Sequence, residues 1–314
     1  MIRAGASSII QRDHMQEASQ KAILYAFVAN LGIAIAKSWG AWFTGSGSML
    51  AEAIHSYADA GNQVLLFLGL VQSRRLPDEE HPLGYGKLVF FWAFIVAIIL
   101  FSLGGLFSIY EGIHKLQSPE PLNQVWVGML ILGLAVVLEG ASLFGCLREI
   151  ATLRGRKPFW QWLRTTRNAE LVVVLGEDVA ALIGLFLALC FLGLAGWTGD
   201  TRYDAFGSIC IGSVLIVVSI CIGIRIKGLL IGRSAEPELC ARIESIIAAD
   251  PDIEQLLNTI TLQMGPKIML AAKIRMRPTL TINEAVERIN ALEVALKRAV
   301  PELGWCFMEP DTRD

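Results

Sequence analysis

The sequence predicts a membrane protein with an all-α domain of six transmembrane helices, followed by a small α+β domain. Of its 314 residues, 54% are hydrophobic and 18% are charged, and the mean hydropathy is +0.52. Soluble domains carry about 25% charged residues. The apolar residues form blocks of about 18–25 residues, long enough to cross about 30 Å of hydrocarbon at about 1.5 Å per residue. Residues 234–314 instead carry regularly spaced charges.

Six apolar segments are predicted to span the membrane. They cover residues 22–43, 48–72, 88–112, 124–147, 171–194 and 205–225. Arginines and lysines concentrate before the first span and after the second, fourth and sixth, whereas only Lys115 and Arg202 lie on the other side. The positive-inside rule therefore predicts that both termini are cytoplasmic.

The predicted domains follow from these spans. A cytosolic segment covers residues 1–21, the six-helix domain covers 22–226, and a cytosolic domain covers 227–314. In that last domain we predict, in order, a helix, two extended segments, a helix and a final strand, at residues 237–249, 253–264, 268–277, 281–299 and 304–308. This order favours a small α+β sandwich.

Several functional classes are disfavoured by composition. The net charge is −2 and no run of Lys or Arg alternates with aromatic residues, which argues against a nucleic-acid partner. Six scattered cysteines form no disulfide or zinc pattern. The N-terminus has no signal-peptide pattern. No HExxH motif is present, so an intramembrane metalloprotease is disfavoured, and we expect no enzyme activity.

The second span contains four polar residues that lipid would exclude. Glu52, His55, Asp59 and Asn62 are spaced by 3, 4 and 3 residues, which places them on one helix face. Each ionisable side chain in a span costs roughly 2.5–3.5 kcal/mol, so it indicates a partner, a watery cavity or a function. An imidazole and a carboxylate one turn apart suit a divalent ion such as zinc.

The fifth span supplies two adjacent acids, Glu177 and Asp178. If the second and fifth spans pack together, His55, Asp59, Asp178 and Glu177 can form a four-ligand metal site. Glu177 lies about 100° around the helix from Asp178, so its alternatives are pairing with a cation or relaying protons. Because protons compete with metal for such ligands, the site predicts proton-coupled export. The structural alternative is a hydrogen-bonded histidine in a packed interior.

Other polar and small residues in the spans have simpler interpretations. Lys37 and Glu139 can form an intramembrane ion pair. Asn30 can line the path, as can Glu52 and Asn62, or it can make an interhelical hydrogen bond. The glycines that favour close helix packing are Gly104, Gly105 and Gly140.

Six stretches of the chain resemble the cation diffusion facilitator family, and within it the branch of mammalian zinc transporter 9. They are TGSGSMLAEAIHSYADAGNQ, HPLGYGK, EGASL, LGEDVAALIG, YDAFGS and LLIGRSAEP. The resemblance implies a homodimer with a ferredoxin-like cytosolic domain, which exchanges divalent metal for protons by alternating access. It implies a transport site at His55, Asp59 and Asp178.

Departures from the family pattern concern the remaining metal ligands. Many members have His or Asp where this chain has Val174, and Glu177 is the nearest replacement. The HPLGYGK loop keeps His81 but has Tyr85 where relatives have a second histidine, which leaves at most a weak site with Asp78. No histidine follows His114, and Cys240, Cys306, Glu309 and Asp311 offer only a weaker alternative in the tail. We predict Cys306 to be a core residue.

The resulting hypothesis is a secondary transporter that exports a divalent cation, zinc first, from the cytoplasm in exchange for protons. It requires no resident cofactor; its partners are membrane lipid, the metal ion and a second copy of the chain. The alternative is a non-transporting scaffold or sensor whose tail binds a protein. The expected location is a bacterial inner membrane.

Overall fold

The computed structural model describes residues 27, 30–118, 122 and 124–313. It divides into two compact units. The first contains the described residues up to Leu68, together with Trp92–Leu153 and Leu171–Gly223. The second contains Gly69–Phe91, Arg154–Glu170 and the described chain from Ile224 onwards. Gly69–Phe91 and Arg154–Glu170 contain the loops after the second and fourth predicted spans. The positive-inside rule assigns both loops to the same side of the membrane as the C-terminal domain.

Long helices make up the first part of the described chain. Their bounds, in order, are α1 at residues 30–44, α2 Gly47–Gln72, α3 Leu88–Ile99, a π-helical stretch Leu100–Leu106, α4 Phe107–Gln117, α5 Val125–Arg154, the short α6 Phe159–Thr165, α7 Ala169–Thr198 and α8 Arg202–Ile231. The π-helical stretch and α6 were not predicted.

Four helices in the described part of the chain are long and apolar enough to cross a membrane. They are Leu88–Gln117, which joins α3 to α4, and α5, α7 and α8, each with 30 residues. With α1 and the 26-residue α2, they form the predicted six-helix arrangement. The third to sixth helices extend past the predicted spans at one or both ends. The first predicted span lies partly outside the described residues.

Close packing of α8 against the π-helical stretch and the start of α4 depends on glycine. A Cβ at Gly105 would lie 3.2 Å from the carbonyl oxygen of Gly212, and a Cβ at Gly212 would lie 2.9 Å from the backbone nitrogen of Ile109. Such backbone contact is a common way to associate helices in lipid. It confirms the interpretation of Gly105. No neighbouring atom of the described residues lies within 4 Å of a Cβ at Gly140, so the interpretation of that glycine stays a prediction.

The C-terminal domain has the predicted element order. Its elements are α9 Pro237–Ala248, β1 Ile253–Met264, β2 Lys267–Met276, α10 Ile282–Ala299 and β3 Leu303–Pro310. The sheet has the order β1-β2-β3, with β1 antiparallel and β3 parallel to β2. Alternate β2 side chains pack with α9 and α10 in one apolar core. Both helices therefore cover the same face of the sheet.

The HPLGYGK loop has a structural function in the second unit. The backbone of Gly86 packs directly against Gly265, which adopts a positive φ of 68° in the turn between β1 and β2. A Cβ on either glycine would overlap the other segment's backbone. The two glycines thus allow the loop after α2 to rest on the β1–β2 turn.

Candidate functional site

One face of α2 is polar and enclosed by the first unit. Glu52, His55 and Asn62 are fully buried, and Asp59 is 6% exposed. The i, i+3 and i+4 spacing predicted from the sequence places them along this face. Burial of so many polar groups in a membrane domain requires that most of them find partners.

His55 and Asp59 are close but incompletely satisfied. Nε2 of His55 lies 3.4 Å from Oδ2 of Asp59. Neither ring nitrogen of His55, nor Oδ1 of Asp59, has a hydrogen-bond partner among the described residues. Beside Nδ1 of His55 lies Gly104 in the π-helical stretch, where a Cβ would come within 3.9 Å. Free, buried lone pairs of this kind are what a metal ion requires.

The two acids of α7 contact different helices. The amide of Asn62 donates a hydrogen bond of 2.6 Å to Oε1 of Glu177, which joins α2 to α7. Asp178 instead accepts from the hydroxyl of Ser142 on α5, at 3.3 and 3.4 Å to its two oxygens. Both acids are buried, at 5% and 8% exposure. The predicted packing of the second and fifth spans is therefore present.

The full set of predicted ligands is not gathered in this conformation. Within the described ranges, no group of three or more His, Cys, Asp or Glu side chains is close enough to hold a metal ion. The structure brings together the pairs His55–Asp59 and Asn62–Glu177, and it holds Asp178 separately through Ser142. The ligand assignment stays a prediction. Asn30 is half-buried in α1, and its place on the path also stays a prediction.

The predicted partner of Lys37 was wrong. Its Nζ lies 3.2 Å from Oε2 of Glu52 and donates a hydrogen bond of 2.7 Å to the hydroxyl of Ser56. Lys37 and Glu52 are both fully buried. Glu139 is also buried, but it is not the salt-bridge partner of Lys37. The ion pair connects α1 to α2 because the site-bearing face of α2 turns toward α1.

The loop pair Asp78 and His81 is engaged within the loop itself. Asp78 accepts from the backbone N–H of His81 at 2.7 Å and from the hydroxyl of Tyr85 at 2.6 Å. The Tyr85 hydrogen bond, and then that of His81, holds the pKa of the Asp78 carboxyl below its usual value. Nδ1 of His81 lies 3.7 Å from Asp78. Tyr85 thus replaces a possible metal ligand with a hydrogen-bond donor, and the weak site stays a prediction.

The tail residues considered as ligands have structural environments. Cys306 packs against the core of the C-terminal domain, as predicted, and burial raises the pKa of its thiol to about 11. Asp311 forms an ion pair with Lys273 at 3.1 Å. Burial of this thiol disfavours the thiolate, which is the form that binds metal.

Three residues that support α2 or the candidate ligands were missed by sequence reasoning. They are Ser142 on Asp178, Gly184 against Glu52, and Asp204 at the start of α2. Gly104 was predicted only as a packing residue, and it lies beside His55. Small and hydroxyl side chains carry little signal in an apolar run. Asp204 belongs to the YDAFGS stretch that resembles the family, but the sequence does not predict its contact with the start of α2.

Residues 23–224 match the family described as cation efflux transmembrane domain. The chain belongs to the cation efflux family. This stretch contains the four polar residues of α2 and both acids of α7.

Similar proteins come from animals, plants and bacteria. A Xenopus laevis protein named proton-coupled zinc antiporter SLC30A9, mitochondrial, is 36% identical over 74% of this chain and 43% of its own length. Metal tolerance protein C4 of Arabidopsis thaliana is 32% identical over 79% of this chain and 55% of its own. Cation-efflux pump FieF of Klebsiella pneumoniae is 28% identical over 83% of this chain and 82% of its own. The chain thus spans about half or less of the first two relatives.

Proposed function

We propose that this protein exports zinc from the cytoplasm in exchange for protons, with His55, Asp59 and Asp178 as metal ligands. The observation that carries the proposal is the buried face of α2, where polar atoms of His55 and Asp59 have no hydrogen-bond partner among the described residues. The neighbouring helix α7 carries two more buried acids, Glu177 and Asp178. An imidazole with carboxylates suits zinc better than magnesium. The names of the SLC30A9 relatives support both the metal and the proton.

The proposal includes alternating access, in which the two acids of α7 have different roles. Asp178 accepts a hydrogen bond from Ser142 on α5, and Glu177 accepts one from Asn62 on α2. In the proposal, metal binding draws Asp178 toward the α2 pair, and proton binding lets it return to Ser142. Glu177 carries a proton beside the site in place of a fourth ligand. Asn62, bonded to Glu177, and Asn30 belong to the path.

A homodimer is part of the same proposal. The face of the sheet that α9 and α10 leave uncovered carries Ile260, Ala271 and Phe307 side by side on β1, β2 and β3. Ile260 is 58% exposed and Phe307 is 55% exposed. An apolar stripe that crosses three strands supports association with a second copy. The membrane in which the dimer resides stays a prediction, since the relatives include mitochondrial and bacterial proteins.

Uptake into proteoliposomes with an imposed pH gradient tests the transport proposal. We expect zinc uptake by the wild type to exceed uptake of manganese, cobalt and iron, and Asp59→Ala and Asp178→Ala to lower it to the level of empty vesicles. Loss of groups that merely support a ligand already costs about 10–100-fold in metal affinity. The matched control is Glu149→Ala, because Glu149 is an exposed acid on α5.

Two outcomes would overturn this proposal. Wild-type uptake equal to that of empty vesicles for every metal would favour the scaffold or sensor alternative. Uptake that persists in both Asp59→Ala and Asp178→Ala would remove these residues from the site.

A further inference from the structure

The described interior of the first unit contains many buried acids and one buried lysine. Its buried acids away from the helix ends are on α2, α5 and α7: Glu52, Asp59, Glu139, Glu177 and Asp178. Lys37 is the one buried Lys or Arg among the residues that the structure describes, and its side chain is fully enclosed. Burial of a charged side chain costs desolvation free energy unless the charge is paired, so Lys37 requires an acidic partner here.

Lys37 is held in a fixed place next to the candidate site. Its Nζ contacts Glu52 at 3.2 Å and Ser56 at 2.7 Å, and Ser56 adjoins His55 in the chain. The ammonium group of Lys37 therefore lies against the same polar face of α2 that carries His55 and Asp59.

Glu52 is confined as tightly as Lys37. Only Oε2 meets Lys37, and Oε1 has no hydrogen-bond partner among the described residues. On the α7 side, Oε1 fills the space that a Cβ at Gly184 would occupy. With no side chain at position 184 and Lys37 opposite, the Glu52 carboxylate is fixed one turn before His55 on the same face of α2.

We propose that Lys37 and Glu52 form a resident charge pair that sets the affinity of the site for its cation. The inference rests on the proposed function. Lys37 offsets Glu52 and weakens the attraction of the neighbouring acids for a divalent ion, which allows the ion to leave. Glu52 in turn offsets Lys37 and allows the ion to enter. Because Coulomb energies are large in a dry interior, the charges of Lys37 and Glu52 each change the free energy of a cation bound at the neighbouring site.

The proposal makes opposite predictions for the two halves of one ion pair. Lys37→Met should lower the KM for zinc uptake and lower kcat, because an uncompensated Glu52 retains the ion. Glu52→Gln should raise KM, because an uncompensated Lys37 repels the ion. We expect each shift in KM to be at least about tenfold at the low effective dielectric of the interior. The double variant removes both charges and should return KM toward the wild-type value, and Lys37→Arg should preserve it.

The experiment measures zinc uptake in proteoliposomes and equilibrium zinc binding by the purified full chain. Lys115→Met is the matched control, because this lysine lies in the same unit but donates to the carbonyl oxygen of Gly45 and has no salt bridge to an acid among the described residues. It should not shift the zinc affinity.

A purely structural ion pair would give a different result. Both single variants would then change KM in the same direction, or would leave KM unchanged while lowering the thermal unfolding midpoint. Either result overturns the inference while wild-type transport continues to support the proposed function. Absence of wild-type transport, by contrast, contradicts the proposed function, and zinc binding alone then tests the charge pair by the same opposite shifts.

Discussion

At the scale of single residues, the two neighbouring acids of α7 have different partners. Glu177 accepts from Asn62 on α2, whereas Asp178 accepts from Ser142 on α5. The roughly 100° between successive helix positions makes this separation unavoidable. It assigns the two acids different tasks in the proposed cycle, metal binding for Asp178 and proton carriage for Glu177.

Glu177→Gln tests this division. The amide oxygen of the glutamine can still accept from Asn62, so we expect the fold and the zinc affinity to be retained. Zinc uptake driven by a pH gradient should fall at least about tenfold, because an amide cannot carry the proton. Loss of a proton-transferring group usually lowers a rate by about 10²–10⁴-fold. The measurement compares gradient-driven uptake with equilibrium zinc binding. A weaker zinc affinity in the variant would instead identify Glu177 as the fourth ligand.

At the scale of elements, α2 is fixed at its N-terminus by a residue of another helix. Buried Asp204 in the first turn of α8 accepts from the hydroxyl of Ser46 at 2.7 Å and from the backbone N–H of Gly47 at 2.6 Å. The hydroxyl of Ser46 also accepts from the N–H of Met49. A carboxylate at a helix N-terminus satisfies free N–H groups and complements the helix dipole.

Asp204→Ala should therefore destabilise the helix that carries the site. It leaves buried donors without acceptors, which costs about 1–3 kcal/mol. We expect a lower thermal unfolding midpoint for the purified protein in detergent, together with slower zinc uptake. Arg202→Ala, an exposed position at the same end of α8, is the control. An unfolding midpoint equal to that of the wild type would show that Asp204 does not hold α2.

At the scale of the whole molecule, the open face of the tail sheet is the surface on which we propose that a second copy binds. Ile260, Ala271 and Phe307 line a depression of about 210 Å³ on it. Each of the three strands contributes one residue to this row, and Ile260 and Phe307 are exposed. Beside this row lie Asn258, Lys273 and Glu309, which give the apolar stripe a polar border.

Phe307→Glu should convert the proposed dimer into a monomer. A charge in the apolar stripe must lose its hydration when two copies meet, and two copies would bring two like charges together. Sedimentation of the full chain in detergent measures the change. Ile282→Glu is the matched control, because Ile282 is 83% exposed at the start of α10, away from the sheet. A Phe307→Glu protein that stays dimeric would place the interface elsewhere.

The sequence by itself determined the six-helix plan, the element order of the tail and the polar face of α2. These depend on local properties, namely the length of apolar blocks and a period of 3.6 residues. Only the tertiary structure decided that Lys37 pairs with Glu52, that Asn62 meets Glu177, and that Gly86 rests on Gly265. Which side chains of two helices meet depends on how each helix is rotated about its axis. A helix that is apolar on most faces can pack in several rotations. The burial of a few charged groups selects one of them.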